Sequence, residues 1–293
     1  SFFYEQLYIN IIFVKFMNSD FSKIVPALYV ISTPIGNIRD ISNRSLDLLE
    51  KSDYILCEDT RVTSKLLNFY SIKNKLISFH VINEKIKLQK ILEDLKDKKI
   101  LSIVSDAGTP TLSDPGTKLI SECHDAGIKV IPIPGASAIL SAVSVSGFPD
   151  NFYFCGFMPK KKNEIENFLS KIKKVKATLV FFMPARDLSK NSYYFDKFFP
   201  KSSFLIAREM TKVHETYIRD KIINMNKYIQ NNIKGEMTLV VDNNFEEKSD
   251  INIDDEIKLL IGKMSSKNIA EYLSKKLKIS KKIVYQKVII LNE

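Results

Sequence analysis

From Leu28 onward, short apolar runs alternate with stretches whose apolar residues recur every three or four positions. LYVIST, DYILCED, KILSIVSD and IKVIPIPG read as strands, whereas RSLDLLEKS, EKIKLQKILEDLKDK and GTKLISECHDAG read as helices. The strands are apolar at consecutive positions, as a parallel sheet covered by helices on both faces demands, so the order predicts an α/β unit. Asn83-Glu84 opens one helix and KDKK closes it, placing acid early and cations late in accord with the helix dipole. The turn-rich Gly147-Phe148-Pro149-Asp150 interrupts the alternation and marks a boundary. Beyond it NFYFCGF, KATLVFFMP, SFLIAREM, HETYIRD and GEMTLVVD lie close together, which predicts a second α/β unit with a mixed sheet and fewer helices. After Asp242 the acidic NNFEEKSDINIDD predicts a linker, then two or three short helices with Ile269, Leu273, Leu277 and Ile283 as a small core. The expected division is an N-terminal extension (1–27), α/β domains at 28–147 and 148–245, and a basic helical segment at 246–293.

The stretch SIVSDAGTPTLSDPGTK, from Ser102 to Lys118, joins the strand Ile100 to Val104 to a helix at Thr117 to Ala126. Such connections usually run about 2–6 residues and rarely carry paired Gly, Pro and Asp. Gly108 and Gly116 permit backbone geometry closed to other residues, while Pro110 and Pro115 stiffen the span between. The loop therefore reads as a ligand-holding element at the carboxyl end of a strand. Three further turns fall at strand ends: STPIGNIRD (Ser32 to Asp40), EDTR (Glu58 to Arg61) and PIPGASA (Pro132 to Ala138). None is a GxGxxG or Walker loop, so a phosphate grip on a nucleotide is not supported. Backbone N–H and C=O groups beside carboxylates suit a ligand with an adenine, a ribose and a zwitterionic amino-acid tail, and S-adenosylmethionine has those parts. Pro134-Gly135-Ala136-Ser137 would let a base or sugar approach the backbone closely; a plain helix start capped by Ser137 explains the same residues.

Lys and Arg total 44 against 34 Asp and Glu, a formal charge of +10 that points to a polyanionic partner. Nearly all of that excess is lysine, in a chain rich in Lys, Ile and Asn, so its clustering carries more information than its sum. One cluster spans Lys263, Lys267, Lys275, Lys276, Lys278, Lys281, Lys282 and Lys287, with only Glu271 among them. It reads as an RNA-docking appendage or as a solvated basic face. Cys57, Cys123 and Cys155 are widely spaced, with no CxxC and no Cys/His cluster, which excludes a disulfide framework and a structural metal site and fits a cytoplasmic protein. Ser1 to Phe16 is apolar but contains Glu5 and Lys15, is short for a membrane span and has no cleavable-signal pattern.

TPIGNIRDIS, CEDTR, SFH followed by NE, VSDAGTPTLSDPG, PIPGASA, GFMPKK, AREMTK followed by E, and KGEM occur in this order. From about Leu28 to the C-terminus the chain thereby resembles the ribosomal RNA small subunit methyltransferase I branch of the tetrapyrrole methylase superfamily. The resemblance implies two α/β domains of the tetrapyrrole methylase type with the active cleft between them, S-adenosylmethionine as cofactor, a homodimer and no membrane attachment. It also implies 16S ribosomal RNA in the small subunit as partner, with the 2′-hydroxyl of a cytidine in the decoding region as acceptor. Carried onto this chain, it assigns Pro34, Gly36, Asp106, Gly108, Thr109, Pro110, Asp114, Gly116, Pro134, Gly135, Ala136, Ser137, Phe182, Met183, Gly235, Glu236 and Met237 to the cofactor.

The chain departs from the pattern twice. Met183 to Asp187 stand where a Glu and then His-Arg are expected, and Val81-Ile82 stand where an acidic residue and a second His are expected. A neutral ribose hydroxyl is a poor nucleophile, so a base or a cation beside it should help. Glu58, Asp59, Glu209 and Glu215 are candidate bases or orienters, and Arg61, Arg208 and Lys212 candidate phosphate contacts, with Glu58, Asp59, Arg61, Arg208 and Glu209 expected on the acceptor side. Glu58 to Arg61 also fits an ordinary acidic helix start, and His80 an ordinary strand-end histidine. A tetrapyrrole or small-metabolite methyltransferase, or an RNA-binding protein that has lost catalysis, are the competing readings.

Overall fold

A computed structural model describes residues 24–80, 83–229, 234–244, 253–277 and 279–292. Ser1 to Phe16, Val81, Ile82, part of the expected linker and Lys278 lie outside the described residues. Strands β1 (Ala27–Ile31), β2 (Tyr54–Cys57), β3 (Leu76–Ser78), β4 (Ile100–Val104) and β5 (Val130–Ile133) form a sheet ordered β3-β2-β4-β1-β5. All of its pairings are parallel, with Leu28 opposite both Leu101 and Val130. Tyr29, Ile31, Ile55 and Cys57 face helices α1 (Asn43–Lys51) and α2 (Thr60–Phe69). Leu28, Leu56, Leu101 and Ile103 face α3 (Glu84–Lys96) and α4 (Thr117–Asp125). Burial on both faces is why these strands are apolar throughout. The chain leaves β1 for one face and its neighbour β4 for the other, so their carboxyl ends part and leave a crevice, the place where open α/β sheets bind ligands.

The second sheet contains β6 (Phe152–Phe157), β7 (Thr178–Pro184), β8 (Ser203–Arg208), β9 (Thr216–Lys221) and β10 (Glu236–Asp242), ordered β6-β7-β10-β8-β9. β6 and β7 are parallel and the remaining pairings antiparallel, the mixed sheet that the sequence predicted. One face packs on α6 (Lys162–Ile172) and α7 (Leu188–Phe198) through Leu179, Phe181, Phe204 and Leu239. The other packs on α5 (Ala138–Ser146): Ile139 and Ala142 meet Val180, Leu205, Ala207 and Val240. Helix α5 follows the last strand of the first sheet but buries its apolar face on the second, and residues up to Asp242 form one compact unit.

A second unit begins at Asn243. Its helices α8 (Ile253–Leu260), α9 (Ser266–Leu277) and α10 (Lys281–Asn292) close on Ile257, Ile269, Ala270, Leu273, Val284 and Val288. Two expectations change here. Ile283 is exposed, because Val284, Val288 and Leu291 form the inward stripe of α10 and Ile283 lies about 100° away from it. Asp254 and Glu256, the first expected in the linker, belong to α8 and pair with Lys287 (2.7 Å) and Lys276 (3.0 Å), while Glu271 takes Lys275 and Lys281. The basic segment is therefore partly self-neutralised. Among the described residues Lys263, Lys267 and Lys282 make no ion pair.

Candidate active site

A cleft of about 290 Å³ opens where the β1 and β4 ends meet the second sheet. One wall is Ile35 after β1, Asp106, Ala107, Gly108, Thr109, Leu112, Ser113 and Asp114 after β4, and Ser137, Ala138 and Ile139 at the start of α5. The other is Phe157, then Phe182, Met183 and Pro184 of β7, Ala207, Glu209, Met210 and Lys212, and Glu236, Met237 and Thr238 of β10. Met183 and Met237 are register partners, as are Phe182 and Thr238, so this wall is a strand surface rather than a set of loops.

Backbone bonds hold the first wall. Thr33 N–H donates to Gly108 O (2.9 Å) and Gly108 N–H to Thr33 O (3.0 Å), tying the loop after β4 to the end of β1. Ser105 Oγ donates to Gly108 O (3.2 Å), Thr109 Oγ1 donates to Ala136 O (3.3 Å), and the Ser32 and Thr109 hydroxyls are 3.0 Å apart. Gly108 sits at φ +82°, and Thr111 and Ser113 also hold positive φ, at +73° and +76°. Left-handed backbone at non-glycine residues costs ~1–3 kcal/mol each. The loop is thus shaped against local preference, which is common beside binding sites.

Four carboxyl groups gather at this end of the sheet. Asp59 caps α2, takes its partner from Arg61 (Nη2 to Oδ2 2.6 Å), and donates its backbone N–H to Asp106 Oδ1 (3.1 Å). The Arg61 hydrogen bond holds the Asp59 carboxyl down at about 2. Burial, then the Glu58 carboxylate, pushes the Asp114 carboxyl up to about 6, against a smaller lowering by Ser105. Burial and then Asp106 raise Glu58 as well, with His80 opposing.

Of the residues expected on the cofactor, Asp106, Gly108, Thr109, Asp114, Ser137, Phe182, Met183, Glu236 and Met237 line the cleft. Pro34, Gly36, Pro110, Gly116, Pro134, Gly135, Ala136 and Gly235 do not. Space left by several of these glycines is taken by protein: a Cβ on Gly135 would meet Ser32 Cβ at 2.8 Å, and one on Gly116 would meet Ile103 Cδ1 at 2.7 Å. One on Gly235 would meet the Glu209 side chain at 2.6 Å. Ser137 caps α5 by accepting from Leu140 N–H (3.4 Å) as well as lining the cleft. Of the acceptor-side residues only Glu209 lines the cleft. Glu58, Asp59 and Arg61 sit at the α2 start behind Asp106. The Arg208 guanidinium donates to Lys234 O (3.1 Å) and His214 O (3.3 Å), bracing the adjacent loop.

That loop reaches across to the first wall. Glu209 (φ +49°) accepts from Lys212 Nζ (2.9 Å) and from Glu236 N–H (2.9 Å), and Lys212 is the chief cause of its lowered pKa. Thr211 Oγ1 accepts from Asn37 N–H (2.8 Å), and Thr211 N–H donates to the Glu215 carboxylate. A Cβ on Gly36 would lie 2.5 Å from Lys212 Cγ and 2.8 Å from Met210 O. Gly36 therefore serves close approach of the two walls. The departure at Met183 also has a visible consequence: Asn191, buried below it, donates to the Met183 sulfur (2.9 Å), and its Oδ1 has no partner among the described residues. The Arg186 that follows is exposed on a single turn of 3₁₀ helix and does not line the cleft.

Ile35, Leu112, Phe157, Ala207 and Met210 lie inside the quoted motifs but were not among the expected site residues, and Ile139 and Thr238 lie just beyond them. Each is an ordinary core or surface type, and only packing assigns it to the cleft.

Residues 27–225 match the family model described as Tetrapyrrole (Corrin/Porphyrin) Methylases. Among solved structures, uroporphyrin-III-C-methyltransferase from Thermus thermophilus superposes with a TM-score of 0.53 at 16% identity, over 74% of this chain and 94% of that one. Diphthine synthase does so with a TM-score of 0.57 at 16% identity, over 73% and 89%. These neighbours bear on the fold alone. Proteins named ribosomal RNA small subunit methyltransferase I are much closer in sequence. That of Neisseria meningitidis serogroup B is 37% identical over 88% of this chain and 91% of its own length. That of Thermotoga maritima is 44% identical over 73% and 97%, and that of Rickettsia prowazekii 35% identical over 89% and 95%. The chain belongs to the tetrapyrrole methylase family, in its ribosomal RNA small subunit methyltransferase I branch.

Proposed function

We propose that this protein methylates the ribose 2′-hydroxyl of a cytidine in the decoding region of 16S ribosomal RNA, with S-adenosylmethionine as donor. The observation that carries this reading is the similarity, over 88% of the chain, to a protein named for small-subunit ribosomal RNA methylation. The lining of the cleft fits the cofactor: the carboxylates of Asp106 and Asp114 would meet a cationic ligand, the Ser137 hydroxyl would be available to donate to its polar groups, and Ile139, Met183 and Met237 would wall off water. When bound, S-adenosylmethionine supplies an electrophilic methyl group on a positively charged sulfur.

The chain's own part is to position, exclude water and move a proton. Asp114, its carboxyl raised to about 6 by burial and then by the Glu58 carboxylate, is more basic than an ordinary aspartate and suited to accept a proton. Lys212 on the second wall, and the exposed Arg61 at the α2 start, supply cations for phosphates flanking the acceptor. Lys263, Lys267 and Lys282 add charge for a structured RNA from the helical unit. A homodimer is part of the reading: Leu140 (58% exposed) and Val145 (53%) on α5, with Phe152 and Tyr153 on edge strand β6, offer apolar surface for a second copy. Among the described residues no helix is long and apolar enough to cross a membrane, and a cytoplasmic place of action accords with a ribosomal substrate.

Incubation with labelled S-adenosylmethionine and unmethylated small subunits, followed by mapping of the label, tests this. Label on a 16S cytidine ribose is expected. Label on a tetrapyrrole and none on the RNA would favour the metabolite reading, and cofactor binding with no transfer to any acceptor the lapsed-enzyme reading.

A further inference from the structure

Strand β6 carries an irregularity with a consequence for the acceptor. Its register with β7 runs Phe154 opposite Val180, then Gly156 opposite Phe181 and Phe157 opposite Phe182, so one residue is inserted at Cys155. Gly156 takes φ +71° there, and a Cβ on it would meet nothing within 4 Å, so glycine is required for backbone angle and not for space. In a regular strand residues 154 and 157 would point to opposite faces. The bulge brings both to the face of Phe182, with ring centroids 4.9 Å and 5.5 Å from it. Phe154 and Phe182 are half-buried, whereas Phe157 lines the cleft and stays 59% exposed. An aromatic ring is thus propped at the cleft rim, on the wall away from the β4 loop, with more than half of its surface exposed.

Cations lie immediately beyond it. Lys160, Lys161 and Lys162 are exposed at the start of α6, where the helix dipole disfavours positive charge, and Lys190 Nζ joins them by donating to Lys160 O (2.7 Å). Among the described residues Lys161 pairs only with the exposed Glu164, at 3.3 Å. A polyanion beside the ring explains a lysine cluster that the helix itself does not favour.

We infer that Phe157 is the platform on which the base of the acceptor nucleotide stacks, with the Lys160 to Lys162 cluster on its phosphates. This rests on the RNA reading above. Proteins that read unpaired nucleotides splay the base onto an aromatic side chain and hold the backbone with Lys or Arg. Stacking would orient the ribose toward the cleft and the carboxylates on its far wall.

The test compares Phe157→Ala, Phe157→Leu and Phe157→Tyr with the parent. Readouts are KM and kcat on unmethylated small subunits, S-adenosylmethionine affinity by calorimetry, melting temperature and molar mass in solution. Phe157→Ala should raise KM roughly tenfold, the effect expected for loss of one base–aromatic stack. Melting temperature and mass should stay at parental values, and cofactor affinity should fall by less than KM rises. Tyr should restore KM and Leu should not. A loss of cofactor affinity as large as the rise in KM, equal performance of Leu and Tyr, a change of mass, or an unchanged KM would each overturn the inference. A parent that leaves small subunits unmethylated would overturn the RNA reading and this inference with it, whereas an active parent with indifferent variants overturns this inference alone.

Discussion

The two walls of the cleft are built on different principles. The wall after β4 is loop: Gly108, Thr109, Ser113 and Asp114 hold their places through backbone bonds and positive φ angles, and they offer carboxylates and peptide groups. The wall on the second sheet is strand: Phe182, Met183, Met237 and Thr238 are set by β7–β10 register and offer hydrophobic surface, with Glu209 and Lys212 at one end. Parallel strands present their ends to a ligand, so specificity there resides in loops. Antiparallel neighbours present paired side chains, so the second wall is shaped by residue size.

The largest effect is expected where the walls touch. Gly36→Val would force the Lys212 stem and the Met210 carbonyl away, since even a Cβ would sit 2.5 Å and 2.8 Å from them. Misplacement by about 1 Å can cost roughly a hundredfold in rate, and a loss of that order in methyl transfer is expected. Parental turnover would show that the walls are positioned independently of this contact.

Next comes the content of the loop wall. Gly108→Val is a poor probe, because φ +82° penalises any side chain regardless of ligand. Ala138→Phe fills the cleft from the first turn of α5 without disturbing the strained loop. Overfilling a packed site costs ~1–3 kcal/mol, so cofactor binding should weaken roughly tenfold to a hundredfold in calorimetry, with the melting temperature near that of the parent. Unaltered affinity would move the cofactor off this wall.

The carboxylates give a smaller effect with a pH signature. Because the folded-state pKa of Asp114 is raised, to about 6 from 3.8, its protonated form is favoured by folding. Its stabilising contribution is complete below about pH 4 and is lost as pH rises through about 6. Asp114→Asn, which mimics the neutral acid, should therefore be more stable than the parent at pH 7 by about 1–2 kcal/mol, after allowance for partial exposure. The difference should vanish near pH 4. A melting-temperature gap that does not change with pH would contradict this account of the cluster, and loss of methyl transfer in the same variant would support the proton-accepting role of Asp114.

The smallest effect belongs to the helical unit, where ion pairs within the unit leave few lysines to act. A combined K263Q/K267Q/K282Q variant should flatten the salt dependence of RNA affinity by about 2–3 in log–log slope and leave cofactor affinity unchanged. An identical slope would make the basic face a solvated surface.

Much of the first sheet was legible because its strands bury both faces and its helices one, so periodicity distinguishes them. What escaped was short: Leu76–Ser78 has only three half-buried residues. The helix start that Glu58 to Arg61 also fitted is present, with Asp59 capping Thr60–Phe69. Loop glycines were legible as unusual, but their purposes were not: Gly108 serves φ, Gly36 serves contact with a segment far along the chain, and Gly135 makes room for Ser32.

The sequence by itself determined the alternation of strand and helix, the mixed character of the second sheet, and which loops carry carboxylates and glycines, since these follow from local periodicity and residue type. Tertiary structure alone decided that α5 packs on the second sheet, that Ile35 and Met210 line one cleft, that the Arg208 guanidinium is bonded to carbonyls, and that a one-residue bulge turns Phe157 toward the rim. A local pattern tells which face of an element must be buried. It carries no information about which distant surface will cover that face, because any apolar surface of matching shape lowers the exposed area equally well, and only the packing of the whole chain selects one.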